Sequence, residues 1–325
     1  MDKNENMTAL MSAFARAYHT EHNEITMYSD PLARIILGED DYAAIGRNIV
    51  GGIKFFEPNF SGTDDEALRA SVEKRLAPGV TARNFFAERA LRTEVSLRTK
   101  QYIILGAGLD TFAYRRPEWA KDLEIFEVDM PKMIDSKLKR LKQVGLSDEK
   151  THYIAADLAE KDWISNLLCE PSFSAEKVSF VSALGLSFYI DKEDFFALIS
   201  TLAEHLPHGS ALVFDYAAAD SEYHSEKAAL AAAAGERMSR AYTIEELELG
   251  VPQRGFRIYE NIGAYEINTE CFKEFKSLHG FAWISADLSA DTMLIDNSDR
   301  RISVGFLNFD RIFTLSFDRR TAKGL

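Results

Sequence analysis

From Gln101 to about Tyr216, apolar runs of strand length alternate with segments of helical period, and this alternation constrains the fold more than any other feature. The runs are YIIL, LEIFEVD, HYIAAD, VSFVSAL and SALVFDY, and the helical segments among them are MPKMIDSKLKRLKQV, KDWISNLL and KEDFFALISTLAEHL. Strands that alternate with helices predict a mostly parallel sheet, closed by right-handed crossovers and covered by helices on both faces.

Upstream the texture is helical. MTALMSAFARAYH places Leu10, Phe14 and Tyr18 on one face. SDPLARIILG carries a start signal at Ser29 or Asp30, Pro31 in the first turn and a stop at Gly38. NFSGTDDEALRASVEKRL predicts a loop running into a helix, and TARNFFAERALRTEVSLR a helix with Phe85, Phe86, Ala90 and Leu91 inward. The composition shifts near residue 100, so the expected organisation is an N-terminal helical cover over 1–98 and an α/β core over 99–325. Within that core, AADSEYHSEKAALAAAAGERMSRAYTIEEL predicts a helical insertion at about 219–250. A helix at NTECFKEFKSLHG and closing strands at FAWISADL and ISVGFLNFDRIFTLSFDRR are expected to follow.

Charge and cysteines then exclude several classes. The formal net charge of −13, with no basic stripe, argues against a nucleic-acid partner. Cys169 and Cys271 lack metal-ligand spacing, so no metal site is expected, and both are read as buried free thiols in a reducing compartment. The polar N-terminus and the absence of a run of roughly 18 apolar residues predict a cytoplasmic chain without a membrane association. P-loop, zinc-protease and nucleophile-elbow motifs are absent.

The first strand ends in Gly106-Ala107-Gly108. Gly106 suits a tight turn, and Gly108 lets a ligand approach the backbone. Asp129 ends the next strand, near the ~20-residue separation at which a carboxylate meets a ribose diol. The third fingerprint position is Thr111 rather than glycine or alanine, and Asp110 places a negative charge in the turn. Both disfavour a pyrophosphate and hence a nicotinamide oxidoreductase. The turn suits an adenosine ligand without phosphates, such as a cationic sulfonium.

With DPLA, TARNFFAERA, ILGAGLDTFAYR, FEVDMP, AADL, GLSFYI, GSALVFDY and a late HGF in order, the sequence resembles the leucine carboxyl methyltransferase family, in particular its bacterial polyketide O-methyltransferase-like branch. The resemblance spans about residues 29–281. It implies a Rossmann-like class I methyltransferase fold, with a seven-stranded sheet and S-adenosyl-L-methionine as cofactor. It also implies that Arg83 clamps the cofactor's methionine carboxylate and that Gly106 and Gly108 lie beneath it. Asp129 would take the ribose, and Asp157 and Leu158 would flank the adenine. Asp157 has a second reading as a helix cap.

One position departs from the pattern. Where the family carries a glutamate near the cofactor's amino-acid end, in E-G-x-x-x-Y-[LI], this chain has Leu184 in LGLSFYI. Losing one charge-assisted hydrogen bond costs roughly 1.5–3 kcal/mol, about ten- to hundredfold in affinity. The alternative function is therefore a non-catalytic cofactor-binding protein on the same fold.

Tyr189, Tyr216 and Arg115 are the candidates for the substrate pocket, with Arg115 reading equally as an ion-pair partner. No catalytic base is assigned, because the histidines are scattered. The expected activity is O-methylation of a small carboxylic acid or hydroxylated metabolite, under a lid formed by the N-terminal helices and the 219–250 insertion.

Overall fold

The computed structural model describes residues 7–23, 28–219, 241–263 and 290–296. Cys271, the helix expected at NTECFKEFKSLHG, the strands expected at FAWISADL and ISVGFLNFDRIFTLSFDRR, and residues 220–240 of the expected insertion lie outside them.

Five helices come first: α1 (Met7–His22), α2 (Ala33–Leu37), α3 (Glu39–Phe56), α4 (Asp64–Ser71) and α5 (Ala77–Leu97). A π-helical turn, Val72–Leu76, joins α4 to α5. Thr63 and Glu66 form a reciprocal capping box at the start of α4, satisfying donors that the first turn would otherwise leave orphaned. Gly38, at a φ of 82°, ends α2 as its sequence position predicts. The cover has its own apolar centre, in which Leu10, Phe14, Tyr18, Ile36, Leu37, Ile45 and Val72 pack with Leu109 and Leu141 from beyond the cover.

The sheet begins at β1 (Gln101–Leu105). It continues through β2 (Glu124–Asp129), β3 (Thr151–Ala155), β4 (Ser179–Ala183) and β5 (Ala211–Ala218), with α6 (Pro131–Val144), α7 (Trp163–Leu168) and α8 (Lys192–His205) between them. These five strands pair in parallel in the order β3-β2-β1-β4-β5. The order reverses between β1 and β4, which makes the carboxyl edge there the switch point where ligands bind in such sheets. Beyond β5 lie β8 (Ala290–Asp296) and then β7 (Arg257–Ile262), each antiparallel to its neighbour. Among the described residues, seven strands form one continuous order. A two-residue strand, β6 (Ala241–Tyr242), pairs separately with β5.

Alternation along the strands builds two cores, because successive side chains point to opposite faces. Ile103, Leu105, Phe126, Val181 and Phe214 join Phe195, Leu198 and Leu202 of α8 on one face. Tyr102, Ile104, Ile125, Phe180 and Val213 meet Phe86, Ala87, Ala90 and Leu91 of α5 on the other. Arg83 is thereby carried to the sheet by the same helix whose apolar face forms this second core.

Three expectations need correction. Part of the expected insertion, Ala241–Gly250, is β6 followed by α9 (Ile244–Gly250). Tyr242 is fully buried against Phe195 and Tyr216, so this stretch belongs to the core rather than to a lid. β7 and β8 both fall where no strand was expected; in β8 three acidic or polar residues break up the apolar run. Cys169 is exposed, not buried.

Candidate cofactor site

The segments that leave the carboxyl ends of β1 to β4, together with Asp215 of β5, meet at one edge. Gly106 and Gly108 have φ values of 68° and 49°, left-handed conformations that a residue with a Cβ adopts only under strain. No α-helix follows the turn. Two short 3-10 turns, Phe112–Tyr114 and Glu118–Ala120, take its place before β2, so the small third residue needed for helix packing has no function here. Thr111 occupies that position with its hydroxyl turned inward to Asp30, at 2.7 Å. Asp110 holds the turn itself, accepting the Phe112 N–H at 2.8 Å.

Asp129 closes the loop from the side. One of its oxygens accepts the Gly108 N–H at 2.7 Å and the other the Met130 N–H at 2.7 Å. Burial raises its carboxyl above the ordinary value, against the opposing pull of those two N–H groups and of Lys137. A carboxylate has about four lone-pair sites, so two donors leave capacity for a diol.

Arg83 is mostly buried rather than solvated. Its Nη1 donates to Asp215 at 2.9 Å and its Nη2 to Ser12 at 3.3 Å, while the buried Nε has no partner among the described residues. Gly185 lies against the guanidinium: a Cβ there would stand 3.1 Å from both terminal nitrogens. The next residue, Leu186, packs over Gly106. The loop after β4 thus links Arg83 to the glycine turn.

Asp157 follows β3 and accepts the Ala159 N–H at 3.0 Å, bracing its own turn. It does not cap α7, whose N-cap is Asp162. Leu158 is buried in the core beneath that turn.

The pocket candidates separate. Tyr189 shares a hydrogen bond of 3.0 Å with Thr8 of α1, so it lies where the helical cover meets the β4 loop. Tyr216 is 1% exposed, packed against Tyr242 and Phe214, with its hydroxyl on Asn261 at 3.2 Å. It is a core residue in this arrangement. Arg115 pairs with Glu88 of α5, contacts the Tyr28 hydroxyl and donates to Thr111 at 3.1 Å. Its second reading, as an ion-pair partner, is the one its contacts match: it fastens the glycine turn to the cover.

Sequence reasoning missed the residues that hold the cover down. Arg16 is 5% exposed, donates to Asp30 at 2.8 Å and caps the Leu109 carbonyl at 2.6 Å. Ala9 lies against the glycine turn, 3.2 Å from where a Gly108 Cβ would stand. An arginine on the buried face of α1 was the available signal. Among the described residues, no cluster of three or more histidine, cysteine or acidic side chains could hold a metal ion. Among them too, no helix is long and apolar enough to cross a membrane.

Comparison with known proteins identifies the family. The family model described as leucine carboxyl methyltransferase matches residues 9–203. A Bacillus subtilis protein, "Putative S-adenosyl-L-methionine-dependent methyltransferase YktD", is 35% identical over 291 residues, 85% of this chain and 94% of that one. A relative of similar description from Mycolicibacterium smegmatis is 31% identical over 68% of this chain and 70% of its own length. Among solved structures, a DUF574 family protein from Streptomyces avermitilis superposes with a TM-score of 0.54 at 18% identity, covering 78% of this chain and 96% of that chain. A structure described as a "putative methyltransferase from Thermobifida fusca" gives 0.54 at 14% identity, over 91% of this chain and 97% of that chain, and, like the first, supports the fold alone. This chain belongs to the leucine carboxyl methyltransferase family.

Proposed function

We propose that this protein is an S-adenosyl-L-methionine-dependent methyltransferase that methylates an oxygen of a small carboxylic acid or hydroxylated metabolite. The observation that carries the reading is the glycine turn closed by Asp129, at the switch point of the sheet. Arg83, with a buried Nε left to donate, suits a carboxylate ligand. Gly106 and Gly108 give a close backbone approach, Asp129 retains acceptor capacity for a ribose, and Asp157 and Leu158 stand after β3 at the same edge.

The cofactor, when bound, supplies an already activated methyl group. The chain's own residues orient the partners and exclude water. α1 packs onto the glycine turn through Ala9, and the Thr8–Tyr189 bond joins the cover to the β4 loop. A carboxylate acceptor needs no general base. That suits a chain in which His19 bonds Glu73, His152 bonds Glu124 and His205 bonds the Thr201 carbonyl.

Calorimetric titration with S-adenosylmethionine and S-adenosylhomocysteine tests the cofactor. Micromolar binding of at least one is expected, and no heat with either would refute the reading. Incubation with panels of carboxylic acids and phenols, followed by mass spectrometry, tests the acceptor. A gain of one methyl group on oxygen is expected, whereas methylation confined to nitrogen or carbon acceptors would overturn the oxygen assignment.

A further inference from the structure

Leu184 has an acidic neighbour on the adjacent strand. β4 and β5 run parallel in constant register, with Ser182 beside Val213 and Ala183 beside Phe214. The pairing ends there, and Leu184 and Asp215 are the next residues of the two chains. In-register neighbours on parallel strands share a face, here the face of Phe180 and Val213 that meets α5, and partly buried Leu184 packs into that same cluster. β4 ends at Ala183, so Asp215 stands at the level of the loop that carries Gly185.

Asp215 is 1% exposed. Its Oδ1 accepts the Gly185 N–H at 2.6 Å, and its Oδ2 accepts from Arg83 at 2.9 Å. Two of roughly four lone-pair sites are therefore used. Arg83 brings a buried Nε without a partner. A carboxylate and a guanidinium thus lie side by side at the ends of β4 and β5, withdrawn from water and each with unused capacity. Such a pair complements a zwitterion, whose ammonium seeks the carboxylate and whose carboxylate seeks the guanidinium.

We infer that Asp215 supplies the acidic contact that position 184 lacks, so that Arg83 and Asp215 together receive the amino-acid end of the cofactor. The carboxylate has moved sideways by one strand, and the chain keeps charge recognition with leucine at 184. This inference rests on the S-adenosylmethionine reading above.

Titration of the full chain with S-adenosylhomocysteine, its deamino analogue and 5′-methylthioadenosine, which lacks the amino-acid end, tests it. Asp215→Asn is expected to weaken S-adenosylhomocysteine about ten- to hundredfold and to leave methylthioadenosine within about twofold. In that variant the deamino analogue is expected to bind as well as S-adenosylhomocysteine, because the ammonium no longer has its partner. Adding Leu184→Glu to Asp215→Asn is expected to recover most of the loss. Equal weakening of all three ligands would make Asp215 a purely structural partner of Arg83, and unchanged S-adenosylhomocysteine binding would overturn the inference directly. If circular dichroism shows Asp215→Asn unfolded, the charge-restored double variant carries the test. Binding of methylthioadenosine but not of S-adenosylhomocysteine by that variant would then overturn the inference. No binding of any ligand by the unaltered protein would instead overturn the parent reading, and this one with it.

Discussion

Thr111, at the end of the glycine turn, donates its hydroxyl hydrogen to Asp30, in the segment between α1 and α2, at 2.7 Å. Asp30 also accepts from Arg16 at 2.8 Å and lies 3.5 Å from the Arg115 guanidinium. One buried carboxylate therefore ties the glycine turn to the helical cover. The third fingerprint position, which in a dinucleotide fold serves helix packing, here anchors the N-terminal helices.

That anchor gives the fold one acid-sensitive contribution to stability. Burial acts to raise the Asp30 carboxyl, but Arg16 and Arg115, with the hydrogen bonds from Thr111 and Arg16, hold it below the ordinary value. The unfolded chain then binds a proton at a pH where the native chain has released it. Its stabilisation is therefore fully present above the unfolded value of about 3.9 and is lost as pH falls through the lower folded value. Asp30→Asn leaves Arg16 buried without its partner and is expected to cost about 3–5 kcal/mol near neutrality. Thermal melts from pH 7 to pH 2.5 should show the gap between variant and parent closing below about pH 4. A constant gap would contradict this assignment.

Asp129 makes the corresponding prediction for binding. Its carboxyl titrates above the ordinary value because it is buried, so its capacity to accept from a ribose diol should fade on acidification sooner than for an exposed aspartate. Affinity for S-adenosylhomocysteine should fall with an inflection above about pH 3.9, and Asp129→Asn should remove that inflection while lowering affinity at pH 7.5 about ten- to hundredfold. Unlike Asp215→Asn, this variant should weaken methylthioadenosine as well. Calorimetry across pH separates the two sites.

The readable parts of this site are those specified locally. Gly106, Gly108 and strand-terminal Asp129 follow from the backbone needs of one β-turn-β unit, and the alternating apolar runs located β1 to β5 for the same reason. Arg83 and Asp215 are 132 residues apart, and only strand register reveals that Asp215 stands at the end of β4. A motif read along β4 registers a missing carboxylate and is blind to one on the next strand. Tyr216 and Arg115 show the converse problem: a sequence gives their nearness to the edge but not the direction of the side chain. The β8 strand escaped because Asp291, Thr292 and Asp296 dilute its apolar run, while its pairing with β5 is long-range.

Beneath the site, Lys137 of α6 meets Glu127 of β2 at 2.6 Å, with both side chains essentially excluded from water. Burial pushes the Glu127 carboxyl up to about 7, against the attraction of Lys137. Here the native chain keeps a proton that the unfolded chain releases, so this contribution is present below about pH 4.3 and is lost as pH rises through about 7. Glu127→Gln strands the lysine and is expected to destabilise the fold by about 3–5 kcal/mol. Glu127→Leu combined with Lys137→Met should be neutral or stabilising by about 1–4 kcal/mol, and should flatten the decline of Tm between pH 5 and pH 8. A double variant weaker than the single one would show that the pair stabilises the fold.

The bond between Tyr189 and Thr8 separates a cover role from a substrate role for the tyrosine. Thr8 lies in the first turn of α1, next to Ala9 on the glycine turn, and Tyr189 follows β4. Tyr189→Phe removes the partly buried hydrogen bond to Thr8, a type of bond worth about 0.5–1.5 kcal/mol, and leaves the ring's packing against Phe188 in place. If the bond fastens the cover, amide exchange should quicken in α1 while β1 and β4 stay protected. Cofactor affinity should then fall by about two- to tenfold, with KM for the acceptor unchanged. A variant with unaltered α1 exchange and a raised acceptor KM would place the tyrosine hydroxyl on the substrate instead.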